Sequence, residues 1–234
     1  MYEAVHAHPD GDSTVARLAR TAGEYGYDGV VVRNRSDARP DYDADRIGDE
    51  YGVDVVDGLE IRADGPEQAS GYVGNYRRDV TVLLLEGGTP ELNRFAVEQP
   101  RVDVLARPMA GDGDFNHVLA KAARENGVRV EFDFSPVLGL TGGPRVQALS
   151  DMRKLREVVD QYDAPYVVSA NPYSHLQLRA PRELIAVGEL VGFSREWMAD
   201  GLREWHRLAE RNRERQSESF IEPGVKRGTY EKEP

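Results

Sequence analysis

Two histidines near the amino terminus, His6 and His8, have a spacing that suits metal chemistry. Side chains two residues apart on a strand point to the same side, so both imidazoles would face one surface. Paired imidazoles bind divalent cations, and Glu60 and Glu131, in later apolar runs, would complete the ligand set. The alternative is structural: His6 packs in the interior and His8 caps a turn. The residue types leave both interpretations open.

Arginines form a second group of chemical interest, because each ends or follows an apolar run. The group consists of Arg33, Arg35, Arg62, Arg107 and Arg179. A guanidinium pairs with phosphate through two parallel hydrogen bonds, so a ring of such groups suits RNA binding. The alternative is that each arginine pairs with a neighbouring carboxylate, since the chain has 41 Asp and Glu against 30 Lys and Arg. Both interpretations remain open at this stage.

A further phosphate-binding pattern is the segment Thr141–Arg145, in which two glycines and a proline precede Arg145. Glycines before a helix leave backbone N–H groups free to hold phosphate, and Arg145 would add a positive charge. The alternative is a simple helix start, with proline in the first turn. Arg145 therefore joins the other five arginines as a candidate RNA contact.

An alternation of apolar runs and amphipathic segments must position these side chains. Continuous apolar runs indicate strands buried on both faces, as in a parallel sheet covered by helices. Strands are predicted at 3–8, 29–34, 53–61, 80–87, 102–107, 128–134 and 165–171. Helices are predicted at 13–25, 41–51, 66–76, 90–98, 115–125, 144–162, 181–191 and 195–215.

Two of these helices have marked apolar stripes. In the helix at 144–162 the predicted inner face consists of Val146, Leu149, Met152, Leu155, Val159 and Tyr162. In the helix at 195–215 the stripe consists of Trp197, Met198, Gly201, Leu202, Trp205, Leu208 and Ala209. The 3.6-residue period indicates that both helices dock on the sheet. For the last helix, a surface for a protein partner is the alternative.

The fold class that fits this order is α/β, a TIM-like (β/α) barrel with about seven parallel strands. The absence of a strong glycine-rich dinucleotide loop disfavours an open doubly wound sheet, and barrels of this size form one domain. Residues 1–215 are therefore predicted to form a single domain with C-terminal helices, followed by a polar tail at 216–234 that is predicted to be disordered. The carboxyl ends of the strands would gather the histidines and arginines at one mouth.

The composition is compatible with a halophile, and the alternative is an ordinary acidic protein with a solvated charged face. The formal net charge is −11, and only four of the 30 Lys and Arg residues are lysine. Excess surface carboxylate keeps proteins soluble at high salt. At molar salt the Debye length is only ~3 Å, so phosphate binding must rely on direct contact by arginine. An acidic chain of this kind is therefore compatible with an RNA partner.

Several classes of protein are excluded by what the chain lacks. It has no cysteine, which excludes disulfides, thiol catalysis and cysteine-ligated metal sites. No apolar stretch approaches the ~18 residues of a membrane span. The first residues do not have the basic and apolar regions of a signal peptide. We therefore expect a cytoplasmic protein with no membrane partner.

Segments along almost the whole chain, up to about residue 216, resemble the archaeal ribonuclease P protein component 3 family. Their order and spacing carry the resemblance more than any single motif does. The segments are HAHPDG (6–11), GYDGVVVRN (26–34), GLEIRA (58–63), VDVLARP (102–108), FNHVLAKAARENGVRVEFDF (115–134), GGPRVQALSDMRKLRE (142–157) and VVSANPYSHLQLRAPRELIAVGELVG (167–192).

That family is similar to the polymerase-and-histidinol-phosphatase (PHP) metal-dependent phosphoesterases. The PHP pattern has H-x-H at strand one, glutamates at strands three and six, His-Pro at strand five and Asp-x-His near the end. The residues that match it are His6, His8, Glu60 and Glu131. Arg107-Pro108 replaces His-Pro, and Asn171 lies near the expected acid. The resemblance thus implies a vestigial metal site and, since an arginine repels a cation, a rim suited to phosphate.

The resemblance implies a protein subunit of ribonuclease P, the ribonucleoprotein endonuclease that removes the 5′ leader from precursor tRNA. The RNA component would carry the catalytic Mg²⁺, this chain would hold no cofactor firmly, and the isolated chain would be inactive. The implied partners are ribonuclease P RNA, precursor tRNA and other protein subunits, one of them in a two-plus-two heterotetramer. The alternatives are a stand-alone PHP-type phosphoesterase and a scaffold that contacts only protein.

Overall fold

The computed structural model describes residues 1–217 and the backbone of two short strands beyond them. The strands are β1 Tyr2–Val5, β2 Gly29–Val32, β3 Asp54–Ile61, β4 Val82–Glu86, β5 Val104–Ala106, β6 Arg129–Asp133, β7 Tyr166–Ser169, β8 Phe220–Glu222 and β9 Val225–Lys226. Strands β2 to β7 lie within the predicted strands, and β1 begins one residue before the predicted 3–8 and ends at Val5. The predicted tail at 216–234 contains the end of the last helix, Ser217 and the backbone of β8 and β9; its other residues lie outside the described part of the chain, so the predicted disorder stays a prediction.

The helices follow the predicted order, with one addition. They are α1 Val15–Tyr25, α2 Ala44–Tyr51, α3 Pro66–Tyr76, α4 Pro90–Glu98, α5 His117–Asn126, α6 Ser135–Gly139, α7 Gly142–Tyr162, α8 Pro181–Leu190 and α9 Arg195–Gln216. The short α6 was not predicted, because five residues are too few to show a helical period. Among the described helices, none is long and apolar enough to cross a membrane.

The seven strands form one parallel sheet in the order β1 to β7, wrapped into a nearly closed barrel. Within the described residues no ladder joins β7 to β1. The two strands are instead linked at the mouth by a hydrogen bond of 3.0 Å from the His6 amide to the Pro172 carbonyl. The predicted TIM-like architecture is therefore confirmed, with a seam between the first and last strands.

A buried carboxylate fills that seam. Glu3 accepts hydrogen bonds from the Ser169 hydroxyl (2.6 Å) and from the backbone N–H groups of Ala4 (3.0 Å) and Ala170 (3.2 Å). Its side chain is fully enclosed, and burial raises the pKa of Glu3 to about 7, although these hydrogen bonds oppose the shift. Glu3 thus provides hydrogen-bond acceptors that a neighbouring strand would otherwise supply.

Two apolar layers make up the core. The inner cluster fills the barrel and consists of Tyr2, Ala4, Val31, Val56, Val82, Leu84, Val104, Val167, Trp205, Leu208 and Ala209. The outer layer packs between the strands and the surrounding helices. Helix α9 closes the amino end of the barrel: Trp205 is fully buried, and its Nε1 donates to the Val168 carbonyl at 2.8 Å. The predicted docking of the last helix is confirmed.

The predicted inner face of α7 is only partly correct. Met152, Leu155 and Val159 are buried, whereas Val146 is 66% exposed. The first two turns of the helix extend beyond the barrel, so the apolar period continues past the surface that could cover it. Arg145 lies on this exposed part.

Candidate functional site

The strand alternation brings polar side chains together at the carboxyl end of the barrel. Val31 and Val56 point into the inner cluster, so Arg33 and Glu60, at even spacings from them, point inward as well. Glu131 on β6 reaches the same place from the other side of the barrel, since it contacts Arg33. The predicted meeting of strand-end residues at one mouth is confirmed for this group.

Arg33 lies at the centre of the mouth and is fully buried. Its Nε and Nη2 donate to Glu60 Oε2 at 2.9 and 2.6 Å, and its Nη2 also donates to Glu131 Oε2 at 3.2 Å. Its Nη1 donates to the other oxygen of Glu131. The placement of Arg33 on an RNA-binding rim is therefore wrong, because its guanidinium is enclosed and satisfied by two carboxylates.

The same contacts decide the charge states in the mouth. Burial alone would raise the pKa of Glu60, but the positive charges of Arg33 and Arg107 outweigh it and lower the pKa to about 2. For Glu131, burial outweighs the attraction of Arg33, so its pKa is raised. Glu60 is thus an ionised partner of two arginines, which leaves it unsuited to take up protons near neutral pH.

His6 is held in a fixed orientation beside this group. Its Nδ1 lies 2.8 Å from Asp10 Oδ2, its Nε2 lies 2.9 Å from Asn171 Oδ1, and its ring stacks on Tyr173 with a centroid separation of 4.0 Å. Its Nε2 is 3.8 Å from the Glu60 carboxylate. The structural interpretation of His6, as a residue packed in the mouth, is confirmed.

His8 does not join His6, so the predicted histidine pair is wrong. The chain leaves β1 after Val5, and the exposed His8 lies in the following turn, where its amide donates to the Ser13 carbonyl at 2.8 Å. Among residues 1–217, no three histidines or acids are grouped as metal ligands. The Arg33 guanidinium holds the carboxylate oxygens of Glu60 and Glu131 that a metal would need, so this donor set does not fit a cation.

The other arginines at the mouth are paired with carboxylates. Arg35 Nε donates to Asp10 Oδ1 at 2.7 Å. Burial would raise the pKa of Asp10, but hydrogen bonds from His6 and Arg35 outweigh it and lower the pKa to about 2. Arg62 is half-exposed and pairs with Glu86. The alternative interpretation, in which neighbouring acids neutralise the arginines, therefore describes Arg35 and Arg62.

Arg107 stands where the PHP pattern has histidine, and its backbone is left-handed, with φ of 49°. Its Nη2 lies 2.8 Å from Glu60 Oε1 and 3.0 Å from Glu86 Oε1. Beside it, a cavity of about 530 Å³ opens between the ends of β5 and β6 and helix α7, with Phe132 and Met152 in its lining. Arg107 thus links the buried Glu60 to the edge of the mouth.

Two predicted arginines lie elsewhere. The Nη1 of Arg179 donates to carbonyls of its own loop, including Leu178 at 2.9 Å, and its carbonyl accepts from Tyr27, which precedes β2. Arg179 is therefore on the barrel wall, so its placement in the mouth is wrong. Arg145 is exposed on α7, and no ion pair or hydrogen bond involves its side chain among the described residues.

The sequence analysis did not predict Asp10, Asn171 and Tyr173 as partners of His6. Their positions along the chain follow no pattern that would indicate a contact across the seam. It also missed Glu86 as the shared partner of Arg62 and Arg107. The inward position of Arg33 did have a signal, since it is two residues after Val31 in a buried strand. The result is an ion-paired network that holds the mouth together and engages Glu60 and Glu131, the two carboxylates predicted as metal ligands.

Comparisons with known proteins match this chain over the whole barrel. A family model described as RNase P subunit p30 matches residues 1–217. The protein named Ribonuclease P protein component 3 from Haloarcula marismortui is 64% identical over 226 residues, 97% of this chain and 96% of that protein. The protein of the same name from Halorubrum lacusprofundi is 63% identical over 240 residues, covering both chains entirely. These sources agree with the halophile-like composition.

Solved structures share the fold at greater distance. A chain in the cryo-EM structure of archaeal ribonuclease P with mature tRNA superposes with a TM-score of 0.83 at 23% identity, covering both chains entirely. Histidinol phosphate phosphatase from Lactococcus lactis gives a TM-score of 0.51 at 9% identity, covering 82% of this chain and 94% of that one. The whole-length family match, together with relatives 63–64% identical, places the chain in the ribonuclease P subunit p30 family.

Proposed function

We propose that this chain is a protein subunit of ribonuclease P and takes part in removing the 5′ leader of precursor tRNA. The observation that carries the proposal is the whole-length similarity to proteins named Ribonuclease P protein component 3, at 56–64% identity in four archaeal relatives. At this level of identity across the full chain, those proteins are expected to share the barrel, its mouth and its surface helices with this chain.

The chemistry of the mouth supports a non-catalytic role for the chain. The carboxylates that a phosphoesterase would use to hold metal are paired with Arg33, and His6 is fixed by Asp10 and Asn171. Cleavage is accordingly assigned to Mg²⁺ held by the RNA component, with no cofactor bound firmly by this chain. Arg33 counts in the same way against a stand-alone PHP-type phosphoesterase.

The protein would act by stabilising the folded catalytic RNA together with a second, smaller protein subunit in a two-plus-two arrangement. Cationic side chains reduce the repulsion between phosphates that approach one another when RNA compacts. Of the predicted contacts, Arg62 and Arg145 are exposed and Arg35 is partly exposed, so phosphate can reach these three side chains. RNA contact by these residues stays a prediction.

Reconstitution of the ribonucleoprotein with and without this chain tests the proposal. Precursor-tRNA cleavage would be followed at high salt over a Mg²⁺ titration, with bovine serum albumin at equal concentration as the control. Because the protein would neutralise phosphate charge, the chain should lower the Mg²⁺ concentration needed for half-maximal cleavage. An unchanged Mg²⁺ requirement and an unchanged rate would overturn the proposed function.

A further inference from the structure

A group of arginines lies at the end of the barrel opposite the mouth. It consists of Arg77, Arg78, Arg101, Arg211 and Arg215, and is called the amino-end arginine cluster below. These residues come from three elements: the α3–β4 connection, the α4–β5 connection and the last turns of α9. Four of them, all except Arg211, line an open cleft of about 910 Å³.

Within residues 1–217, three of these five arginines have no acidic partner. Among the residues lining the cleft, Asp103 is the one acid; it is 4% exposed and pairs with Arg77 and Arg211. Within residues 1–217, no ion pair or hydrogen bond involves the exposed side chains of Arg78 and Arg215. In the lining of the cleft, three elements therefore bring cations together around a single carboxylate, while the exposed acids Asp79 and Glu98 lie outside that lining.

The remaining polar groups at the cleft do not offset this charge. Arg101 donates only to the neutral amide oxygen of Gln99, at 3.2 Å. The side-chain amides of Asn212 and Gln216 donate to the backbone carbonyls of Thr81 and Val80 at 2.8 and 2.9 Å. These bonds fix the end of α9 against the barrel and leave the guanidinium groups facing solvent.

Arg211 lies at the buried edge of this group. Burial lowers the pKa of Arg211 to about 10, the positive charges of Arg129 and Arg215 add to the decrease, and the carboxylates of Asp103 and Glu204 oppose it. The mouth differs from this cluster in ion pairing, because Arg33, Arg62 and Arg107 there each have a carboxylate partner.

Helix dipoles do not account for the cluster. The helices of a barrel run opposite to the strands, so their carboxyl ends collect at this face and favour cations. Three other helices nevertheless end in acids there: α1 with Glu24, α2 with Asp49 and Glu50, and α7 with Asp160. The positive charge is thus confined to one side of the face, in a chain whose formal net charge is −11.

We propose that the amino-end arginine cluster binds the phosphate backbone of RNA. This inference rests on the proposed function and assigns a contact surface to it. Guanidinium groups from three elements around one concave cleft suit the spaced charges of a phosphodiester chain, and direct pairing survives high salt. Binding there would be independent of base sequence and would direct the mouth away from the RNA.

The test replaces the three arginines of the cluster that make no ion pair. Arg78→Gln/Arg101→Gln/Arg215→Gln removes three positive charges without touching Asp103. The matched control is Arg17→Gln/Arg153→Gln/Arg182→Gln, which removes three from exposed positions on α1, α7 and α8. Binding of fluorescent ribonuclease P RNA by the chain with its partner subunit would be measured by anisotropy from about 0.3 M to about 1 M KCl.

The cluster variant should bind about tenfold more weakly at the lowest salt, and its slope of log K against log salt should be shallower by about 2, while the control matches wild type. Equal affinities and slopes for the two triple variants would overturn the inference and leave the proposed function standing. The inference would also be overturned if the cluster variant no longer bound the partner subunit but still bound RNA as wild type does. The cluster would then be assigned to an acidic surface of a protein. Failure of wild type itself to bind the RNA would count against the proposed function.

Discussion

At the scale of single residues, Arg33 has the greatest effect on what the barrel mouth can do. Its guanidinium lies between Glu60 and Glu131 in a fully buried ion-paired group. In a buried group of this kind, removal of one member leaves the charges of the others unpaired, whereas replacement of the whole group by apolar residues is often neutral. The mouth is therefore expected to be sensitive to single substitutions and tolerant of concerted ones.

Replacement of Arg33 provides the first prediction. Arg33→Met should lower the free energy of unfolding by about 3–5 kcal/mol, because two buried carboxylates lose their shared cation. Denaturant unfolding at fixed high salt would measure this. The triple variant Arg33→Met/Glu60→Leu/Glu131→Leu should recover most of the loss. A single variant as stable as Arg20→Met, which changes an exposed arginine, would contradict the structural role of Arg33.

The buried Glu3 gives a prediction about pH. Its pKa is raised to about 7 in the folded chain, so the folded state binds a proton more tightly than the unfolded state, whose pKa is near 4.5. The contribution of Glu3 to stability should therefore be fully present below about pH 4.5 and be lost as pH rises through about 7, a decrease on the order of 3 kcal/mol.

Glu3→Gln isolates that contribution, since an amide does not titrate. Unfolding free energies across this pH range should show a smaller decrease for Glu3→Gln than for wild type, with Glu24→Gln as the exposed control. Identical pH profiles for Glu3→Gln and wild type would show that Glu3 does not carry a raised pKa.

The candidate site was partly predictable at this scale. His6, Glu60 and Glu131 meet as predicted, because parallel strands bring their carboxyl ends together. Which arginine enters the barrel depends on where β2 ends. Val32 is its last residue; Arg33, directly after it, keeps the inward orientation of Val31, whereas Arg35 turns to Asp10. A shift of one residue along a strand would turn an inward side chain outward, so the inward arginine cannot be assigned without the exact strand position.

At the scale of elements, the strands were predictable because long apolar runs leave few alternatives, whereas features without a period were not. Helix α6 has five residues, and the seam filled by Glu3 depends on a contact between residues more than 160 positions apart. The last helix was predicted to dock, but not to enter the barrel. Its Trp205, Leu208 and Ala209 complete the inner cluster at the amino end.

Trp205 tests the role of α9. Trp205→Ala should destabilise the protein by about 3–5 kcal/mol, because it leaves a cavity at the base of the barrel and an unpaired Val168 carbonyl. Trp205→Phe, which keeps most of the volume, should cost less. Thermal unfolding at constant salt would measure both. Equal stability of Trp205→Ala and wild type would mean that α9 does not close the barrel.

At the scale of the whole molecule, the two ends of the barrel differ in charge organisation. The mouth holds arginines and carboxylates in mutual contact, whereas the cleft at the amino end is lined by four arginines and one buried acid, Asp103. Histidinol phosphate phosphatase shares the fold, and among residues 1–217 of this chain no three histidines or acids are grouped as metal ligands. We propose that the mouth is structural and that cleavage belongs to the RNA component.

The measurement that tests this claim most directly is the rate of precursor-tRNA cleavage by ribonuclease P reconstituted with Glu131→Gln at saturating Mg²⁺. If Glu131 only pairs with Arg33, the rate per folded complex should stay within about twofold of wild type, while the melting temperature falls through loss of a charged hydrogen-bond partner. A rate loss of about a hundredfold at an unchanged melting temperature, as expected for a metal ligand, would contradict the account.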